Sequence, residues 1–183
     1  LQTMKSGWHP LFTHYFKPGK AYLGGDFFFP KTGKTDCVTF VDSLKTPEHD
    51  VVIRHLLVSG QIFASGGSVS NCLVHPSVRQ AAHQKFASNI NAELEWCKTN
   101  LAGALSVELK KQFMLLNPDK TGKVTFNQLM DAVTKILIND EAKIIVMNGK
   151  SDVENDEYAQ GCNFVIGGNT LGRGVTFPSL QTI

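Results

Sequence analysis

The chain has 183 residues, 42% of them hydrophobic and 19% charged, with a formal net charge of +2. That composition fits a folded domain with a real core and excludes a disordered or low-complexity chain. The near-balanced charge carries no strong basic footprint of the kind that announces tight nucleic-acid binding, and no apolar stretch reaches the length of a membrane helix.

The four cysteines, Cys37, Cys72, Cys97 and Cys162, are scattered, without a Cys-x-x-Cys pair. This argues against a zinc module and against a dense disulfide framework. Cys72 and Cys162 fall in apolar strand candidates, as buried thiols would in a reducing cytoplasm. The N-terminus, Leu1-Gln2-Thr3-Met4-Lys5, lacks the apolar core of a signal peptide. It also lacks an initiator methionine, and the sequence stops soon after a glycine-rich loop, so a fragment of a longer cytoplasmic protein is the expectation.

Residues 1–45 are aromatic-rich and broken by Gly and Pro. They read as an irregular arm, and a cluster such as Phe27-Phe28-Phe29 commonly marks a contact surface. Lys31-Thr32-Gly33-Lys34-Thr35 imitates a phosphate-binding P-loop. The full pattern needs a glycine five residues before Gly33, where this sequence has Phe28, and no apolar strand leads in.

Thr46-Pro47-Glu48 is a helix start, with a capping threonine, proline in the first turn and an early acid. The apolar positions carry the helix to about Ala64. Cys72-Leu73-Val74 is a buried strand candidate ending in His75-Pro76-Ser77. Ser77 and Gln80 are spaced as a capping box for a helix over 77–97. That helix is expected to carry Val78, Ala81, Ala82, Phe86, Ile90, Leu94 and Cys97 towards the core.

Residues 101–139 read as two helices. The turn between them, Asn117 to Gln128, imitates a calcium loop with Gly122 at position six. It offers only Asp119 among the ligand positions and Gln128 where a bidentate acid is required, so calcium is not expected. Asp119, Glu141 and Lys143 have the rough spacing of a magnesium-dependent nuclease core. The segment between them reads as helix, however, which leaves that match without its usual sheet context.

Lys143 to Met147 is another buried strand. Residues 153–160 are acidic and polar, as in an exposed loop. Phe164-Val165-Ile166 is a third strand, and it runs directly into Gly167-Gly168-Asn169-Thr170-Leu171-Gly172-Arg173-Gly174-Val175-Thr176. A buried strand opening into a glycine-rich polar loop sets backbone amides at the carboxyl edge of a sheet, where open α/β sheets bind ligands. Arg173, held between glycines, is open to a phosphate. The plain alternative is a strand-to-loop turn with one solvated arginine.

Those ten residues resemble the GGN-x-LSRG-L-T signature of the Z-one domain family, which is regarded as an endonuclease domain and resembles the second RecA-like lobe of superfamily-two helicases. Three further stretches are similar to the same family: Tyr22-Leu23-Gly24-Gly25-Asp26 with Phe28; Leu73-Val74-His75-Pro76-Ser77 with His83; and Lys143–Met147 with its Asn148-to-Asp152 turn. The resemblance covers residues 15–30, 47–97 and 143–183. The chain departs at Gly172, where the family has serine, and at Pro178-Ser179, where an acid and glycine are common. The first departure removes a hydroxyl that could meet phosphate.

The residues read as an α/β fold with three short parallel strands near 71–75, 143–148 and 163–167, a helical insertion at 101–139 without a counterpart in that family, and an irregular N-terminal arm; the resemblance implies that the sheet is part of a RecA-like lobe. It implies a fragment of an ATP-dependent DNA translocase or helicase of the restriction or defence type. DNA and a first motor lobe would be its partners, with no membrane. ATP and magnesium would serve the parent enzyme, with none expected on the fragment alone. Gly168, Gly174 and Thr176 would face nucleotide, Arg173 would couple nucleotide to DNA, and His75, Ser77, Asn169 and Thr170 would meet nucleic acid. No metal ligand is assigned on this reading. The alternatives are a metal-dependent nuclease using Asp119, Glu141 and Lys143, and a non-catalytic docking module built on the aromatic arm.

Overall fold

A computed structural model describes residues 31, 45–77, 79–116, 123–147, 158–168 and 180–182. The chain divides into two units, 1–42 and 43–183. The expected aromatic arm lies almost wholly outside the described residues, so the second unit is the subject here.

The second unit alternates helix and strand. Helix α1 spans Pro47–Ala64, β1 Val69–Val74, α2 Gln80–Thr99, α3 Ala104–Leu116, α4 Phe126–Ile138, β2 Ala142–Met147, β3 Gly161–Gly167 and β4 Leu180–Thr182. Among the described residues these strands make one sheet in the order β2-β3-β1-β4, and every pairing in it is parallel. The α/β expectation holds at that level. The three expected strands appear within two residues of their anticipated limits, and β4 is an addition.

Alternation along the strands gives the sheet two different faces. Cys72, Val74, Cys162, Phe164 and Ile166 point to one of them and join a core with α1, α2, α3 and α4. Leu73, Ile145, Met147, Val165 and Tyr158 form a smaller cluster of their own. The strands therefore read as continuous apolar runs, as parallel strands covered on both faces do.

Helix α1 begins where its sequence says. The Thr46 side chain accepts from the His49 amide at 3.1 Å, and Pro47 occupies the first turn, where a missing N–H costs nothing. This helix does more than cover the sheet. It also packs closely on α4, where a Cβ added at Gly60 would stand 2.7 Å from a Val133 methyl. His49 joins it to the other two helices: Nδ1 lies 2.8 Å from Glu93 on α2 and Nε2 lies 3.0 Å from Glu108 on α3. Its ring stands edge-on to Trp96, and the Lys45 ammonium lies over that indole at 4.8 Å from the ring centre.

Helix α2 starts later than expected. The Ser77–Gln80 capping box does not form. The Ser77 hydroxyl instead accepts from the Arg79 amide at 3.2 Å, and Arg79, without a side-chain cap, takes the N-cap position. The hydroxyl is thus turned to the amide two residues ahead, as in a local turn, and not to the amide three residues ahead that a capping box requires. The box occurs at Thr125 and Gln128, which satisfy one another's backbone amides at the start of α4. Gln128, read from sequence as a failed calcium ligand, thus has a structural employment.

Candidate functional site at the carboxyl edge of the sheet

Because the strands are parallel, the loops after β1 and β3 leave from the same edge. β1 and β3 are also direct neighbours, with Val74 opposite Ile166. His75-Pro76-Ser77 and Gly168 therefore emerge side by side, at the edge where open α/β sheets take their ligands.

The two loops meet on His83. This residue lies on α2, is only 2% exposed, and its Nε2 is 2.6 Å from the Ser77 carbonyl oxygen. A carbonyl only accepts, so Nε2 carries the proton and donates. Gly168 packs on the same ring. A Cβ placed on Gly168 would come within 3.2 Å of His83 Cε1, 3.4 Å of Nε2 and 3.6 Å of the Ser77 carbonyl. A side chain at Gly168 would thus press on the imidazole.

His75 is exposed beside this junction. It lines a pocket of about 430 Å³ with Pro47 and Val51 of α1, Val74 and Pro76 of the β1 end, and Phe86 of α2. Arg54 and Asp50 also line it and pair at 3.3 Å. The site thus has an open imidazole and a mostly apolar wall on one side of the β1 loop, and the buried His83–Gly168 contact on the other.

Asn169, Thr170, Arg173, Gly174 and Thr176 lie outside the described residues, as does Asp119. Of the residues expected from sequence, the structure brings together His75, Ser77 and Gly168. Glu141 and Lys143 sit at the start of β2, so they belong to the amino edge, the opposite end of the sheet. There they line one pocket of about 380 Å³ with Ser68 and Gln160. Among the described residues no group of three or more His, Cys, Asp or Glu side chains could hold a metal ion.

His83 is the residue to which sequence reasoning gave no role. A signal was present: with Ala87, Ile90, Leu94 and Cys97 it occupies the inward stripe of α2. A histidine on such a stripe needs a partner for its N–H, and the preceding loop is the nearest source of carbonyls.

The three thiols among the described residues are poorly placed for nucleophilic chemistry. Cys72, Cys97 and Cys162 are free and buried. Burial pushes each thiol up from its ordinary 9.0 to about 12, which leaves almost no thiolate near neutrality.

The family model of the Z1 domain matches residues 53–182. No curated protein and no solved structure gives a match. No helix of the described residues is long and apolar enough to cross a membrane.

Proposed function

The chain belongs to the Z1 domain family, and from that premise we propose that it acts as the second lobe of a RecA-like, ATP-dependent DNA motor. In such motors two lobes clamp the nucleotide. The first supplies the phosphate loop and the magnesium-binding acids, and the second supplies a cation and part of the DNA track. This sequence lacks a complete phosphate loop, since Phe28 stands in place of the required glycine. A first lobe must therefore bring ATP and magnesium.

The observation that supports this reading is the convergence of the β1 and β3 loops on His83. It places His75 and Ser77, candidates for the nucleic-acid backbone, beside Gly168, which opens the glycine-rich loop containing Arg173. Nucleotide and DNA chemistry would then share one edge of one sheet. Arg173 would meet phosphate oxygens, Gly174 and Thr176 would face nucleotide with Gly168, and Asn169 and Thr170 would join His75 and Ser77 along the DNA.

The test is ATP turnover. The 183-residue chain alone should show none above background. The same chain joined to its first lobe should turn over ATP in a DNA-stimulated manner and lose that activity in Arg173→Ala. Turnover by the isolated chain, abolished by the same substitution, would count against the two-lobe assignment.

A second reading has one observation in its favour. Glu141 and Lys143 share a pocket at the amino edge, as an acid and a lysine of a magnesium-dependent nuclease would. Magnesium-dependent plasmid nicking lost in Glu141→Ala would establish it. Intact plasmid at high protein concentration would dispose of it.

A further inference from the structure

We infer that His83 is a positioning residue that joins the β1 loop to the β3 loop, so that a ligand on either one is felt at the other. This rests on the motor reading for what the ligands are, and on the contacts alone for the junction itself.

The junction is made from three separate parts of the chain. Nε2–H of His83 holds the Ser77 carbonyl turned inward at 2.6 Å. The Ser77 hydroxyl is held by the Arg79 amide at 3.2 Å. Ser77 is thus fixed on both its main-chain and side-chain oxygens, and His75, two residues earlier, takes its direction from a fixed anchor. The Cε1–Nε2 edge of the ring also forms the floor beneath Gly168, close enough that a methyl group there would press on the ring by a few tenths of an ångström. Packed interiors do not deform continuously. A shift of Gly168 towards the ring therefore moves His83, and His83 carries the Ser77 carbonyl with it. The reverse movement follows the same contacts.

If nucleotide settles beyond Gly168 and DNA over the β1 loop, His83 is a side-chain link between the two, beside the direct approach of the Ser77 carbonyl to Gly168. Coupling through it is reciprocal, since each ligand must alter the affinity of the other by the same factor. No contact between His83 and either ligand is needed, which separates this role from catalysis.

The experiment reads backbone amide exchange by NMR in the whole 183-residue chain, without ligand. In His83→Ala the Gly168 amide should exchange faster by about tenfold or more, together with those of Ser77 and Arg79, while Phe164 and Val165 at the strand centre keep their protection. His83→Gln retains an N–H for the Ser77 carbonyl and should recover protection at Ser77 and Arg79. Gly168→Ala, whose new methyl presses on the ring, should move the His83 side-chain resonances and the Ser77 amide, and it supplies the same information if His83→Ala folds poorly. Unchanged Gly168 exchange in His83→Ala would overturn the junction. So would a loss of protection spread evenly along β3, because that would be general destabilisation.

A second arm adds a single-stranded oligonucleotide. Weaker binding by His83→Ala, by about fivefold or more, with recovery in His83→Gln would extend the junction to function. Equal affinity in all three proteins would leave the contact but overturn its influence on DNA. If the unaltered chain binds no oligonucleotide, the motor reading fails while the exchange data still decide the junction.

Discussion

Asn163 donates its side-chain amide to the side-chain oxygen of Asn71 at 2.8 Å, from positions that face one another in the β3–β1 register. Both are fully buried. Asn71 passes its own amide to the Tyr158 carbonyl at 3.1 Å, and Asn163 also reaches the Gln160 carbonyl at 3.0 Å. Two amides in an otherwise apolar parallel pair thus bind the strand pair to the segment just before β3. They also fix register, since a one-residue slip would turn both onto the helical core.

Asn71→Leu should therefore destabilise the fold by about 1–3 kcal/mol, because it removes both the acceptor for the Asn163 amide and the donor to the Tyr158 carbonyl from a buried setting. The double variant Asn71→Leu/Asn163→Leu should cost less than the sum of the two single changes, as coupled residues do. Urea unfolding of the three variants measures both quantities, and strict additivity would mean the pair is not coupled.

His49 offers a second stability test. It holds carboxylates from α2 and α3 on its two ring nitrogens. His49→Leu removes both contacts while keeping much of the volume, and should cost about 2 kcal/mol, reduced from the fully buried case because both glutamates keep some solvent. Glu108→Gln, which retains an oxygen to accept the bond, should cost less. Equal losses in the two variants would show that the Glu108 carboxylate carries the whole effect and that the packing of His49 on Trp96 adds nothing.

His55 sets the acid limit. It is fully buried beside Phe164, with ring centroids 4.8 Å apart. Burial lowers it from its ordinary 6.5 to about 4, against smaller raising effects from the backbones of Asn163 and Ser70. Above about pH 6.5 the ring is neutral in folded and unfolded chains, and it contributes no pH dependence. Between 6.5 and about 4 the unfolded chain takes a proton that the folded one refuses, so stability falls as pH falls, by about 3 kcal/mol in all. Below about 4 this contribution levels off. Unfolding free energy measured from pH 7.5 to 4 should show the slope, and His55→Leu should flatten it. An unchanged slope would place the titrating group elsewhere.

The cysteines allow a simpler check. In a Cys37→Ser background, a thiol reagent should label Cys72, Cys97 and Cys162 slowly in the native chain and rapidly in urea, because burial holds all three thiols near 12. Fast native labelling of any one would mean its segment opens readily.

Much of the architecture was readable in the sequence because the signals were local. Thr46-Pro47 named the start of α1, and the apolar runs at Leu73, Ile144 and Phe164 named three strands. β4 was missed because Leu180-Gln181-Thr182 is too short to show a period and gains its identity only from pairing with β1. The misplaced start of α2 has a similar origin: whether Ser77 caps a helix or closes a turn depends on its neighbourhood. The site was legible in part. The family resemblance pointed to His75, Ser77 and Gly168, and the structure sets these three side by side at the ends of neighbouring strands. The resemblance gave no role to His83, because the contact with Gly168 spans 85 positions of sequence and exists only once β1 and β3 are neighbours.

The account stands most directly on oligonucleotide binding, measured by fluorescence anisotropy across a salt series for the unaltered chain and for His75→Ala, Arg173→Ala and Glu141→Ala. It predicts that the unaltered chain binds single-stranded DNA, that affinity falls as salt rises, and that Arg173→Ala both weakens binding and lowers the salt slope by about 1. His75→Ala should weaken binding as well, and Glu141→Ala at the opposite edge should leave it unchanged. Failure to bind at low salt, or a loss in Glu141→Ala that matches the loss in Arg173→Ala, would contradict the assignment of DNA to the carboxyl edge of this sheet.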